Sequence, residues 1–264
     1  MNDPFERKER LCWVGAPVGT EIGDIDTQDT LTYLAKRTLQ VYGDSPAHGA
    51  FILVGNTVCE RTILLPDGTQ TTITYDGSFV AGSVASLVAS YSDPAETILR
   101  KDQPGFDTIG GTTIDTSYGE KELILLGNAG VDALRDLGAS VYQWEEDITV
   151  DTTSNDTSQI NVMTQKQYVT RDVRNSLDTS LISVVPPSQQ AGVAIVKNFI
   201  VEKLISLESR GIIGPWTDDS GNERPIDPNS DVEVFRDDSV STLYHYRYWF
   251  NAKYPIKRLF GLYS

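Results

Sequence analysis

The residues that could do acid–base chemistry are few and lie far apart in this sequence. Glu145, Glu146 and Asp147 are adjacent carboxylates. Successive residues of a strand point to opposite faces, so we expect solvated charges here and not a paired acid and base. His48 lies in a turn and His245 in an aromatic strand, and neither accompanies a nucleophile motif such as Gly-x-Ser-x-Gly. These patterns predict no catalytic residue.

Two polar stretches have the residue types that bind phosphate or metal ions. Gly110-Gly111 could cradle a phosphate, but no Gly-Lys-Ser/Thr follows and no Gly-x-Gly-x-x-Gly is present, so a turn is the better interpretation. A carboxylate cluster near residue 220 could bind calcium, but it lacks the ligand spacing of an EF-hand and is interpreted as a solvated loop. The cluster consists of Asp218, Asp219, Glu223, Asp227 and Asp231.

The cysteines and two arginines leave alternatives open. Cys12 and Cys59 are the only cysteines, and with two histidines they make a poor zinc set. A disulfide is possible, although free thiols in a reducing compartment are favoured. Arg171 and Arg174 lie one helical turn apart and could clamp a phosphate, but salt bridges, here between subunits, are the commoner use of such a pair.

Charge and hydropathy exclude two classes of partner. The 264-residue chain has a net charge of −15, which argues against nucleic-acid binding. Residues 239–264 carry +4, which leaves −19 on the rest, so the basic tail could dock on its own body or on an identical neighbour. No apolar run reaches the roughly 18 residues of a membrane span, and the charged N-terminus predicts no secretory signal.

The first half of the chain must supply an α/β scaffold. Apolar runs at residues 10–18 and 50–58 predict strands, and the periodic segment between them predicts a helix over 31–42, so a βαβ unit with a parallel pair is expected. Pro66-Asp67-Gly68 predicts a hairpin turn, and a helix follows near residues 77–92. Further predictions are a loop at 100–118, a short apolar segment at 120–126, a helix at 131–137, a strand at 139–144 and an acidic, Thr-rich hairpin or loop beyond it.

The centre of the chain predicts two packed helices. A short apolar strand is expected at residues 160–163, then two amphipathic helices separated by Pro186 and Pro187, with Ser188 as N-cap and Gly211 as C-cap. The first stripe is Val169, Val173, Leu177 and Leu181, and the second is Val193, Val196, Phe199, Ile200, Leu204 and Leu207.

The C-terminal region predicts antiparallel strands. Residues 231–235 and 242–250 alternate apolar and polar side chains, and Pro255 introduces a last strand over residues 256–263. A terminal strand has an unpaired edge, which can pair with another chain. In the 242–250 strand one face carries Leu243, His245, Arg247 and Trp249, and the other carries an aromatic row of Tyr244, Tyr246, Tyr248 and Phe250.

With these elements placed, residues 74–263 resemble the tail sheath proteins of contractile bacteriophages and related injection machines. Four stretches carry the resemblance: DGSFVAGSVASLVASYSDP, LLGNAGVDALRDLGASVYQWEEDITVD, INVMTQKQYVTRDVRNSL and FIVEKLISLESRGIIG. In addition, the closing aromatic strand resembles the C-terminal arm of sheath proteins. The paired arginines of the family are replaced by Thr164, Gln165 and Lys166, for which Arg171 and Arg174 could substitute. The chain is shorter than most sheaths, and no N-terminal arm is evident before Phe5. The first half is similar to the sheath region called subtilisin-like, but no Asp/His/Ser triad can be assembled.

The resemblance implies an α+β protein: an α/β sheath core with a βαβ unit, two packed helices, and C-terminal antiparallel strands ending in an exchangeable arm. The expected division is 1–126 and 127–264, with the arm at 242–264. Strand exchange between subunits is assigned to Leu243, Tyr244, Tyr246, Tyr248, Phe250, Ile256, Leu259 and Phe260. Charge contacts with other subunits or the tube are assigned to Lys166, Arg171, Arg174, Arg247, Lys253, Lys257 and Arg258.

The function that the resemblance implies is structural, without catalysis or a cofactor. Copies would stack as hexameric rings around a tail tube, contact the tube, baseplate and tail terminator proteins, and contract to drive the tube through the host envelope for genome ejection. Assembly would take place in the host cytoplasm, and the product would be part of the virion. The alternatives are a baseplate or neck protein with a sheath-like domain and, in another class, an α/β nucleotide-binding enzyme that uses Gly110-Gly111 and the acidic cluster.

Overall fold

A computed structural model describes residues 11–23, 26–42, 51–153, 158–181, 186, 188–218, 220–237, 239–240 and 243–253. Among these residues the chain forms two compact units. The first holds residues 11–92 and 96–164, and the second holds residues 93–95 and 165–253. Along the sequence the boundary between these units falls between Thr164 and Gln165, and the division at residue 126 stays a prediction.

The first unit contains the expected βαβ unit. Strands β1 and β2 are parallel, from Cys12 opposite Phe51 to Gly15 opposite Val54, and the helix between them confirms the predicted crossover. β2 lies in the middle of the sheet, and its buried side chains explain its continuous apolar sequence. The elements are β1 (Cys12–Gly15), α1 (Leu31–Tyr42), β2 (Phe51–Val54) and the third parallel strand β6 (Val131–Asp132).

The part of the sequence between β2 and β6 forms a second, antiparallel sheet of three strands. Its order is β4-β3-β5, with β3 (Val58–Leu64), β4 (Gln70–Asp76) and β5 (Thr108–Gly110). The predicted hairpin turn is confirmed, and Gly68 adopts a φ of +83° there. β5 lies in a segment expected to be a loop. The predicted helix follows β4 as α2 (Gly77–Ser90), and the Asp76 side chain caps it by accepting from Ser78 N at 3.1 Å.

The helix predicted in the middle of the chain is wrong. Residues 131–137 form strands β6 and β7 (Leu134–Asp136) and not a helix, and β7 pairs with β8 (Tyr142–Trp144). Gly130 has a φ of +78°, which ends the preceding helix and lets Val131 pair with Leu53. Conversely, the short apolar segment at 120–126 is part of helix α3 (Glu120–Asn128).

Two apolar clusters form the core of the first unit. One includes Ile52, Val80, Val84, Ile98, Leu134, Trp144 and Ile160, and the other includes Leu31, Leu53, Leu123, Leu126 and Val131. Trp144 is fully buried, and its Nε1 donates to Gln103 Oε1 at 3.1 Å. This hydrogen bond satisfies the polar end of the largest core side chain.

The two central helices are α4 (Ile160–Leu181) and α5 (Gln189–Ser209). The strand predicted at residues 160–163 is wrong, because these residues form the first turn of α4. Ile160 and Met163 are one turn apart and both pack in the core of the first unit, which a helix achieves and an alternating strand does not. The β-branched residues in this turn have a local preference for strand. The helix forms instead because it buries Ile160 and Met163 in the core.

The second unit is built on the two predicted stripes. Val169, Val173 and Leu177 of α4 share one buried cluster with Ile200, Leu204 and Leu207 of α5, which confirms that the helices pack together. Leu181, Val196 and Phe199 are partly buried against this cluster.

Both predicted caps of α5 are confirmed. Ser188 Oγ accepts from Ala191 N at 3.1 Å. Gly211, with a φ of +70°, donates to Glu208 O at 2.7 Å, and Ile212 N donates to Leu207 O at 3.0 Å. This double pattern is a Schellman motif, and it places Ile212 in the apolar cluster.

Four strands complete the second unit. They are β9 (Trp216–Thr217), β10 (Glu223–Arg224), β11 (Val232–Arg236) and β12 (Tyr244–Tyr248), paired antiparallel as β9–β10 and β11–β12. The β11–β12 pair agrees with the sequence prediction, and the β9–β10 hairpin lies in a segment expected to be a loop. No helix in the described part of the chain has the length and apolar character needed to cross a membrane.

Candidate functional site

The inner face of the β11–β12 hairpin carries the aromatic row seen in the sequence. Tyr246, Tyr248 and Phe250 pack against the apolar cluster of the second unit. Tyr246 and Tyr248 lie with ring centroids 6.3 Å apart and nearly parallel planes. Tyr246, Tyr248 and Phe250 are therefore part of the core of their own chain.

The outer face of the hairpin is a mixed aromatic and charged surface. Phe235 is 50% exposed and stacks on His245, its cross-strand partner, at 5.1 Å. His245 Nε2 lies 2.9 Å from Asp237 Oδ2, and this hydrogen bond is the main reason that the pKa of Asp237 is lowered. Glu233 stands directly opposite Arg247 on the same ladder. Such cross-strand pairs stabilise a two-stranded sheet.

The run that follows β12 is fastened to its own unit at several points. Trp249 N donates to Asp231 O at 3.0 Å, and Trp216 Nε1 donates to Trp249 O at 3.3 Å. Gly214 N donates to Asn251 O at 2.8 Å, and the Asn251 side chain donates to Pro215 O at 2.6 Å. The described C-terminal run therefore has fixed partners within the chain.

The residues assigned to strand exchange separate into two groups. Those from Leu243 to Phe250 lie in or next to the chain's own hairpin, where Tyr244, Tyr246 and Tyr248 pair with β11. The described part of the predicted arm therefore pairs with β11 of its own chain, as the alternation in both segments predicted. Ile256, Leu259 and Phe260 lie outside the described residues, as do Lys257 and Arg258.

The described basic residues assigned to charge contacts lie on more than one element. Arg171 is exposed and lies over the Tyr168 ring at 5.9 Å. Lys166 and Arg174 are half-buried on the same helix, while Arg247 is exposed on β12. An ion pair of 3.0 Å between Lys203 and Asp172 joins α5 to α4. The charge contacts with other subunits stay a prediction.

The acidic loop uses its carboxylates internally. Asp231 receives two hydrogen bonds from Arg224, at 2.6 and 2.7 Å, and this pair is the main reason that the pKa of Asp231 is lowered. Asp218 accepts from the backbone N of Ser220 and Asn222. Within the described residues no group of three or more His, Cys, Asp or Glu side chains could hold a metal ion. Asp218 and Asp231 therefore have partners within the loop, and Asp219 lies outside the described residues.

Atoms of the same chain fill the space around Gly110 and Gly111. A Cβ on Gly110 would lie 2.1 Å from Thr113 O, and one on Gly111 would lie 2.8 Å from the Tyr118 ring. The carbonyl oxygens of both glycines accept from Asn56 and Thr57. These contacts occupy the space that a phosphate would need, so the geometry gives the nucleotide-binding alternative no support.

The adjacent carboxylates at residues 145–147 make contacts within the fold. Glu145 forms ion pairs with Arg100 at 2.5 Å and with Arg135 at 2.8 Å. Asp147 is fully buried and accepts a hydrogen bond from Thr97. Glu145 and Asp147 therefore have specific partners, whereas the sequence predicted solvated charges.

Asp132 is a buried acid that the sequence analysis missed. It is 0% exposed at the end of β6, and its Oδ1 accepts from Ala133 N at 2.9 Å. Its Oδ2 has no hydrogen-bond partner among the described residues. Burial, followed by the charges of Asp147 and Glu146, raises its pKa well above the usual range. Nothing in the short segment around it distinguished it from a surface acid.

We expect Asp132→Asn to stabilise the protein at neutral and alkaline pH. Because the folded pKa is raised, the folded state holds a proton that the unfolded state releases above its usual value of 3.8. The free energy of unfolding therefore falls as pH rises from there through the folded pKa. Asparagine keeps the acceptor oxygen and removes the charge, so we expect a gain of roughly 1–3 kcal/mol at pH 8 and little difference at pH 4. Thermal unfolding across this pH range measures both, and parallel curves for the two proteins would contradict the assignment.

Comparison with protein-family models and with curated proteins finds no match to this sequence. Solved structures do match. The sheath tail protein from Desulfitobacterium hafniense has a TM-score of 0.50 at 13% identity, with 86% of this chain and 55% of that chain covered. The helical sheath of the anti-feeding prophage in its contracted state has a TM-score of 0.56 at 12% identity, with 96% and 69% covered. A chain of the anti-feeding prophage baseplate in its contracted state has a TM-score of 0.53 at 15% identity, with 96% and 64% covered.

These similarities establish the fold. The chain has the mixed α/β fold of sheath proteins of contractile injection systems, as the sequence resemblance predicted. It spans a little over half to about two thirds of the length of these proteins. Identities of 12–15% carry the fold and no residue roles.

Proposed function

We propose that this protein is a structural subunit of a contractile sheath, in a bacteriophage tail or a related injection system. The observation that carries the proposal is the match of 96% of the chain to a subunit of a contracted helical sheath. Copies would form stacked hexameric rings around a tube, and contraction would drive the tube through a host envelope. In a phage this step would serve genome ejection, and the protein would be part of the virion.

The partners in this proposal are the protein itself, the tube protein, and baseplate and terminator proteins. Self-association would use backbone pairing between strands of neighbouring copies. In the described part of the chain β12 pairs with β11 on one side and has no strand on its other edge. A strand edge without a neighbouring strand can pair through its backbone with a strand from a second copy. The residues after Lys253 are the segment that we propose is exchanged.

Backbone pairing suits a lattice that has to move. Hydrogen bonds along a strand do not depend on side-chain identity, so they can hold while the bodies of the subunits rotate. Charged side chains would make contacts that differ between the extended and contracted states. For this role we assign Lys166, Arg171, Arg174, Arg247, Lys253, Lys257 and Arg258, and no catalytic step or cofactor is part of the proposal.

Electron microscopy of the purified chain tests the proposal directly. We expect tubes or stacked rings in negative stain at high protein concentration, with six-fold rotational averages in end views. Light scattering against concentration should show a threshold below which only small particles exist. A particle that stays monomeric at all concentrations, with and without a tube protein, would overturn the sheath assignment.

A second candidate is a baseplate or neck protein with a sheath-like domain, because a baseplate chain of the anti-feeding prophage matches 96% of this chain. The two candidates differ in growth. A sheath subunit should add ring upon ring and give tubes of variable length, whereas a baseplate or neck component should stop at a single ring.

A further inference from the structure

The side chain of Gln165 lies where the described C-terminal run ends. Gln165 is fully buried on α4. It is the residue at which the main sequence range of the second unit, 165–253, begins. Its Oε1 accepts from Lys253 N at 2.9 Å, and its Nε2 donates to Lys253 O at 2.9 Å. One amide side chain therefore satisfies both backbone groups of a residue 88 positions later, as a neighbouring strand would do.

These two hydrogen bonds between Gln165 and Lys253, called the clamp below, are the last of a series of attachments along the C-terminal run. Upstream, Trp249 and Asn251 are held through their backbone groups by Asp231, Trp216 and Gly214. The chain is thus fixed to the second unit as far as Lys253, and the residues numbered 254–264 follow directly.

We infer that Gln165 is a positioning residue that fixes the root of the exchanged segment. This inference rests on the proposed function, since it concerns how the segment reaches a neighbouring copy. A segment that leaves its subunit from a fixed point, in a fixed direction, has fewer arrangements to lose on docking than one whose root moves. The clamp also sets a boundary: strand exchange involves residues after 253 and leaves the β11–β12 hairpin in its own subunit.

The chemistry of the clamp requires an amide. A carboxylate at this position would accept from Lys253 N but would place a second oxygen against Lys253 O, with a buried charge. Methionine has a similar length and fills the space, but it leaves the Lys253 N–H and C=O without these partners. Gln165→Met therefore removes the two hydrogen bonds with little change in volume.

Gln165→Met in the full-length chain tests the inference, with Gln167→Met as its matched control. Both changes alter the same helix by the same side chain, and the Gln167 Nε2 has no hydrogen-bond partner among the described residues. The exchange rate of the Lys253 amide proton, measured on dispersed protein below the polymerisation threshold, reports whether the clamp is formed. Light scattering and negative-stain microscopy read the threshold concentration for polymers.

We expect Gln165→Met to speed exchange at Lys253 roughly tenfold and to raise the threshold concentration by a similar factor, while Gln167→Met changes neither. Unchanged exchange at Lys253 would overturn the clamp. Faster exchange across the whole second unit would show a general loss of stability and would overturn the local role. Faster exchange at Lys253 with an unchanged threshold would overturn the role in assembly. A wild-type chain that forms no polymer overturns the proposed function and this role with it, while exchange still decides whether the clamp exists.

Discussion

A chain that ends at Lys253 will fold and will not polymerise. The truncation keeps every hydrogen bond described for the β11–β12 hairpin and for the run up to Lys253, including both bonds from Gln165. It removes the whole segment that we propose is exchanged. We expect an unchanged far-UV circular dichroism spectrum, a cooperative thermal transition, and only small particles in size-exclusion chromatography and negative stain at concentrations where the full chain forms polymers.

A chain that ends at Leu243 should behave differently, because that cut removes part of the core. Tyr246, Tyr248 and Phe250 would be lost from the apolar cluster of the second unit, and β11 would lose its only partner among the described strands. Loss of a buried aromatic side chain costs roughly 3–5 kcal/mol, and a domain has about 5–15 kcal/mol of stability in all. We expect this shorter chain to lose the cooperative transition of the second unit.

The pair of truncations separates assembly from folding. A full-length Lys257→Ala, Arg258→Ala double variant is the control for charge, because strand pairing uses backbone groups that this variant retains. It should still polymerise, with a changed dependence on salt. If the chain ending at Lys253 forms tubes as readily as the full chain, exchange of the terminal segment is wrong.

Gly15→Ala should be among the most destabilising single substitutions in the first unit. A Cβ on Gly15 would lie 2.0 Å from the carbonyl carbon of Gly77, and a Cβ on Gly77 would lie 2.6 Å from Ala16 O. Both obstacles are backbone atoms, so relief requires α2 to move away from the end of β1. Overpacking of a well-packed core costs about 1–3 kcal/mol, and a backbone clash lies at the upper end or beyond. We expect the free energy of unfolding to fall by at least about 3 kcal/mol. Chemical denaturation measures this loss, and hydrogen exchange in β2 measures it locally.

Gly82→Ala is the matched control, since it makes the same chemical change inside α2. A Cβ there meets nothing within 4 Å, and the residue is exposed in the middle of the helix. Alanine should therefore stabilise the protein by about 0.5–1 kcal/mol through helix propensity. Equal effects of the two substitutions would show that the close approach of β1 and α2 is not as described.

The strongest periodic signals in the sequence predicted the scaffold well. The stripes of α4 and α5 appear as expected except for Val193, which is not part of the apolar cluster. The Ser188 cap and the Gly211 stop also appear, because repeated apolar spacing and end signals are local properties of the chain. The βαβ crossover was also predictable, since two apolar strands around one helix have a single favoured connection.

Short segments and long-range polar contacts were not predictable in the same way. Val131 and Leu134 have helical spacing, yet their pairing partners lie about 80 residues earlier and 10 residues later. Gln165 looked like a departure from a family pattern, because its partner lies 88 residues away. An amide that closes such a contact has no local signature, and the same holds for the burial of Asp132.

The two thiols differ in a way that is useful for following the protein. Cys12 is exposed on β1, whereas Cys59 is buried on β3, and burial raises the pKa of Cys59 to about 12. Maleimides react with thiolates that solvent can reach, so Cys12 should couple selectively in the native protein. The unaltered chain therefore offers one attachment point for a fluorophore, with which growth of single filaments could be watched in real time.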